Sequence, residues 1–161
     1  MITFKKHSGI YTLSARQELP IALNEAWSFF SDPRNLENIT PPQLAFKITS
    51  LSEQQMYSGQ IITYRVGILP GVVSSWVTEI KAVEFQRFFV DEQRFGPYAM
   101  WHHEHSFERL KNGNTAMCDR VSYKIPLGSL GQLAHVLFVK KQLAHIFEYR
   151  YHALEKLFGA P

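Results

Sequence analysis

The residues best equipped for chemistry lie between Arg94 and Glu108, the densest patch of aromatic and ionisable side chains in the chain. At its centre stand His102-His103-Glu104-His105, flanked by Trp101 and Phe107. If the segment is a strand, alternate residues share a face. Trp101, His103, His105 and Phe107 then point one way, and Met100, His102, Glu104 and Ser106 the other. The large rings mark the first face as the buried one. Two imidazoles at i and i+2 can share a metal ion, but a third ligand must come from elsewhere. They can equally act in acid–base catalysis, or serve as hydrogen-bonded members of a half-polar inner wall.

Two carboxylates stand in comparable alternating segments. Asp91 shares a face with Phe89, Gln93 and Phe95, and Asp119 with Met117, Val121 and Tyr123. Facing inward, either could partner His103 or His105 in acid–base work, burial raising the acid's pKa. Alternatively, Asp91 or Asp119 forms an ion pair with Arg94 or Arg120 across neighbouring strands. Cys118 is the single cysteine, so no intrachain disulfide forms, and it is expected to pack rather than react. Ser74-Ser75 and Ser122 have no base or elbow motif around them. No glycine-rich dinucleotide fingerprint and no complete set of metal ligands can be read, so neither cofactor nor metal is expected.

The elements that must position these groups are set by hydrophobic period. Two-residue alternation dominates from about Ala45 to Ile125, and a helical pattern runs from Gly128 to Phe158. Ahead of them, Ile10–Leu19 reads as a strand ended by Pro20, Ile21–Phe30 as a helix closed by Ser31-Asp32-Pro33, and Asn35–Ile39 as a second short helix. Strands are then predicted over Leu44–Leu51, Gln60–Leu69, Val73–Val83, Phe85–Phe95, Ala99–Leu110 and Thr115–Ile125. Pro70-Gly71 and Asn112-Gly113 serve as turn signals. In the final helix Leu130, Leu133, Leu137, Ala144, Phe147, Tyr151, Leu154 and Phe158 form the stripe expected to close the sheet.

Composition bounds the function. With 161 residues, 45% hydrophobic and 14% aromatic, the chain suits one domain over 1–161 with a sizeable core. The 17 basic against 14 acidic residues are dispersed, and nucleic-acid binding, which needs a clustered basic patch, is not expected. MITFKKHSGIYTL lacks the apolar core of a signal peptide, and no apolar run reaches the ~20 residues of a membrane span. A cytoplasmic location is the expectation.

The order strand, two short helices, about six antiparallel strands and a long C-terminal helix is that of the helix-grip fold. Phe89-Val-Asp-Glu-Gln93, Gly96-Pro97-Tyr98, Trp101-His-His-Glu-His105, Phe107, Asp119-Arg-Val-Ser-Tyr123, Pro126-Leu-Gly128 and Phe147–Arg150 resemble the SRPBCC superfamily of START domains, polyketide cyclases and birch-pollen-allergen proteins. The resemblance is nearest to bacterial members of ligand-binding or cyclase-like type. It implies an α+β fold in which a curled antiparallel sheet of six to seven strands grips the helix and leaves a cavity. The implied function is binding of a hydrophobic or amphipathic small molecule. Tyr64, Val66, Trp76, Thr78, Gln93, Trp101, His103, His105 and Tyr123 from the sheet, with Leu137 and Phe147 from the helix, are the expected wall. Two alternatives stand beside it. One is a cyclase or dehydratase acting on a polyketide-like or aromatic substrate through His103 or His105 with Asp91 or Asp119. The other is an accessory domain for an epimerase-like or oxidoreductase protein partner.

Overall fold

The computed structural model describes residues 2–50, 55–69 and 72–161. Leu51 and the Pro70-Gly71 turn signal lie outside them. Eight antiparallel strands form one sheet: β1 (Ile2–His7), β2 (Ile10–Leu19), β3 (Lys47–Ser50), β4 (Ile61–Leu69), β5 (Val72–Glu84), β6 (Phe88–Phe95), β7 (Met100–Arg109) and β8 (Thr115–Lys124). Their spatial order is β1-β2-β8-β7-β6-β5-β4-β3, so the sheet is curled rather than closed. Between β2 and β3 lie α1 (Leu23–Phe30) and two short 3-10 turns, Pro33–Ile39 and Pro42–Leu44. The helix-grip architecture is therefore present.

β1 adds a strand that the hydrophobic period did not predict. It pairs with β2 through the Ser8-Gly9 turn, where both residues take positive φ, +49° and +79°. That conformation matches the right-handed twist of a hairpin, and glycine adopts it without steric cost. The strand escaped prediction because His7-Ser8-Gly9-Ile10 is a weaker turn signal than Asn-Gly.

The C-terminal helix departs from a single uniform rod. It runs as α2 (Gly128–Ala134), a π turn over His135–Val139, and α3 (Lys140–Phe158). A π turn inserts one residue into the helical repeat, so the side chains of α2 are rotated by about 100° relative to those of α3. The predicted stripe is consequently split. Phe147 and Leu154 are buried, and Leu143 joins them, whereas Leu130, Leu133 and Leu137 are 69%, 57% and 49% exposed. One helix cannot present a constant-period stripe on both sides of that turn.

The π turn is held by His135. Its ring stacks on Tyr11 at 3.6 Å between centroids, and its Nε2 lies 2.8 Å from the Tyr123 hydroxyl. Burial first, then Lys140 and Lys6, push its pKa below the ordinary histidine value. The folded state thus prefers the neutral ring, and His135 contributes stability that is present above about pH 6.5 and lost as pH falls below it. Urea melts at pH 7.5 and 5.5 should show a larger loss for the wild type than for His135→Gln. Equal losses would mean that the ring protonates freely in the folded protein.

The core has three parts. Leu19, Trp27, Phe30, Phe89, Phe107, Met117 and Leu154 pack where α1 meets the sheet and the end of α3. Leu13, Val121, Tyr123, Leu143 and Phe147 pack around β2 and β8. Ile62, Tyr64 and Ile80 form a smaller group under β4 and β5. Among the described residues no helix is long and apolar enough to cross a membrane.

Candidate functional site

A cavity of about 440 Å³ lies between the inner face of the sheet and the C-terminal helix. Its wall is largely apolar. Tyr64, Val66, Trp76 and Ile80 line it from β4 and β5, Phe89 from β6, Trp101 from β7, and Phe138, Leu143 and Phe147 from the helix. Asp91, His103, His105 and Arg150 form one polar cluster in its wall, and Thr78 and Gln142 also border it. An apolar enclosure with a few convergent polar groups is the usual form of a small-molecule site.

Register explains the convergence. Asp91 on β6 sits directly across from His103 on β7, and His105 sits across from Asp119 on β8. All four point inward, while His102 turns outward and meets Glu92 at 2.8 Å. The closest contacts run diagonally. His103 Nε2 lies 2.8 Å from Asp119 Oδ1, and His105 Nε2 lies 2.9 Å from Asp91 Oδ2. The two imidazoles stand 3.7 Å apart between centroids, and Phe89 stacks on His105 at 4.2 Å.

Arg150 completes the group from α3, its Nη1 3.2 Å from Asp119 Oδ1. Its guanidinium lies over Phe30 and Phe147, 5.4 and 5.8 Å from their centroids. The alternative in which Asp91 or Asp119 pairs with Arg94 or Arg120 does not hold, because the carboxylates point into the molecule. Arg94 instead pairs with Glu79.

Charge is governed by these contacts. Burial alone would raise both carboxylates. For Asp119, the charge of Arg150, the hydrogen bond from His103 and the nearby His105 ring outweigh it and hold the carboxyl well below its usual range. For Asp91, the hydrogen bond from His105 and the nearby imidazoles outweigh it, and its pKa is also lowered. Burial depresses His103, and the neighbouring His105 depresses it further. His105 is raised in spite of burial, by Asp119 and Asp91. Two carboxylates and one guanidinium leave one negative charge, and a proton on His105 with His103 neutral would bring the buried cluster to zero.

Of the expected wall residues, Tyr64, Val66, Trp76, Thr78, Trp101, His103, His105 and Phe147 border the cavity. Three do not. Leu137 is turned outward by the π turn. Tyr123 is fully buried beneath Trp101, with its hydroxyl engaged by His135. Gln93 is a clasp: its Nε2 donates to the Tyr98 carbonyl at 2.7 Å, and its Oε1 accepts from the Tyr98 N–H at 3.2 Å. That clasp fixes the turn through Gly96, where an added Cβ would meet Gln93 Oε1 at 2.4 Å.

Arg150 is the main site residue that the sequence pattern did not single out. Its signal was present: it falls three residues after Phe147 and four before Leu154, a charged residue on the apolar face. Phe30, Leu36, Phe46 and Met56 also line the cavity. Leu36, Phe46 and Met56 stand outside the α-helices and strands, where no period marks a buried face.

No family model and no curated protein matches the sequence. Solved structures do match. A START superfamily protein from Mycobacterium smegmatis superposes with a TM-score of 0.66 at 15% identity, over 91% of this chain and 98% of that one. The chain has the START-type helix-grip fold. A protein from Arthrobacter aurescens shares this START-type fold with a TM-score of 0.69 and 14% identity, over 96% and 91% of the two chains. Ara h 8.0201 matches at a TM-score of 0.60 and 14% identity, over 92% and 99% of the two chains. Identities this low speak for the START-type fold and leave the chemistry to the residues of this chain.

Proposed function

We propose that the protein binds a hydrophobic or amphipathic small molecule in the cavity between the sheet and the C-terminal helix. The observation that carries this reading is the cavity itself: about 440 Å³, walled largely by aromatic and aliphatic side chains, with Asp91, His103, His105 and Arg150 clustered in its wall. A concave apolar site of this size, with a few placed polar groups, is the form a small-molecule pocket usually takes. The fold supports the same reading at the level of architecture only.

A second reading, acid–base catalysis on a cyclic or polyketide-like substrate, is favoured by the convergence of His103, His105, Asp91 and Asp119. The mutual pairing of these groups weighs against it, since a general base must be free to take the substrate's proton. Extraction of freshly purified protein, followed by mass spectrometry of the released small molecules, tests the first reading. The recovered compound should rebind stripped protein one-to-one and quench tryptophan fluorescence. His103→Gln should weaken binding by about 1–3 kcal/mol, the scale of a lost hydrogen bond. Turnover that vanishes in His103→Gln with binding intact would replace binding by catalysis. Stripped protein that takes up neither the extract nor any apolar probe would remove both readings.

A further inference from the structure

His103 and His105 of β7 supply only two metal ligands by spacing, but the fold brings a third beside them. Donor atoms of Asp91, His103 and His105 all lie within 4.8 Å of one another. Around a cation at ~2.0–2.2 Å from each ligand, neighbouring donors stand roughly 3–3.6 Å apart. His103 Nδ1 and Asp91 Oδ2 are 3.6 Å apart, and His105 Nε2 and Asp91 Oδ2 are 2.9 Å apart. We propose that Asp91 Oδ2, His103 Nδ1 and His105 Nε2 form a binding site for one divalent transition-metal ion, open to the cavity.

The opposite nitrogens carry the argument further. A ligating imidazole almost always gives its other N–H to a carboxylate or carbonyl, which fixes the tautomer and turns the lone pair toward the metal. Here one carboxylate serves both rings. Asp119 Oδ1 is 2.8 Å from His103 Nε2 and 3.1 Å from His105 Nδ1. His105 Nδ1 is poorly aligned with it and has no hydrogen bond, so this N–H gains a partner if the ring turns toward a metal. Asp119 is itself anchored by Arg150. A ligand shell and a supporting shell are therefore both present, on strands rather than loops.

Three protein ligands with a remaining position facing a cavity is the arrangement of sites that exchange an outside ligand. Donors of two nitrogens and one oxygen suit zinc, iron(II) or cobalt(II) over calcium or magnesium. With both imidazoles neutral, a divalent ion, two carboxylates and one guanidinium sum to +1, which selects an anionic oxygen as the outside donor. Arg150 Nε and Nη2, buried and without a protein hydrogen-bond partner, could share it. This last step rests on the cavity being a small-molecule site; the cation site does not.

Equilibrium dialysis with zinc, and cobalt(II) absorption in the visible, test the site with the metal alone. One ion per chain is expected, with cobalt bands of low-coordinate geometry and a raised melting temperature. Asp91→Asn and His103→Gln should each weaken binding by more than about 100-fold. Asp119→Asn, acting through the imidazoles, should cost about 10–100-fold. His102→Gln, on the outer face, should change nothing. If a variant fails to fold, the imidazole ¹⁵N signals of the wild type decide, because those of His103 and His105 should move on zinc addition. Wild-type protein that binds no ion, or zinc that shifts only surface histidines, would overturn the proposal. Metal binding without ligand binding would leave this site standing and remove the small-molecule reading.

Discussion

Replacing Arg150 with methionine is expected to destabilise the protein by about 3–5 kcal/mol. The guanidinium is buried against Phe30 and Phe147 and is the permanent cation beside Asp119. Methionine keeps much of the apolar contact, so the loss isolates the charge. Asp119 would remain ionised and buried, shielded only by imidazoles. The partner experiment gives the mechanism: in the double variant Asp119→Asn/Arg150→Met the uncompensated charge is gone, and most of the stability should return. Breaking one half of a buried pair is costly, whereas replacing both halves is often close to neutral. Urea melts of the wild type, both single variants and the double variant close the cycle. Additive losses would mean that Arg150 acts through packing alone.

The second large effect contrasts two helix positions that the sequence stripe treats alike. Phe147→Ala should cost about 3–5 kcal/mol, because the buried ring packs with Leu143, Val121 and Tyr123 while also bordering the cavity. Leu137→Ala should cost under about 0.5 kcal/mol, because that side chain is half exposed. Comparable losses would mean that the helix is phased without the π turn.

That contrast also marks how far the sequence can be read. The faces of β6, β7 and β8 were legible, because alternation between large rings and polar residues turns Trp101, Phe107 and Phe89 to the same side. Once those faces are assigned, His103 and His105 must point inward, whereas for Asp91 and Asp119 the pattern left an ion pair with Arg94 or Arg120 equally open. Their pairing was not legible. Which imidazole meets which carboxylate depends on strand register, and alternation fixes faces without fixing offsets. Arg150 was hidden by its type, since an arginine on a helix is ordinarily read as solvated. Leu137 was misplaced because no residue in His135–Val139 announces an inserted residue in the turn. Gln93 faced inward as read, but its amide is consumed by Tyr98 rather than by a cavity ligand.

Titration with the apolar dye ANS tests most directly whether the cavity is a small-molecule site. The comparison is between the wild type and Val66→Phe/Ala134→Phe, which fills the cavity from the sheet and from the helix. Wild-type protein should bind one dye per chain saturably, and an amphipathic acid such as a long-chain fatty acid should displace it. The filled variant should keep the wild-type circular dichroism and lose the saturable site. Equal binding by the two folded proteins would place the dye elsewhere on the surface, and saturable binding by neither would contradict the account.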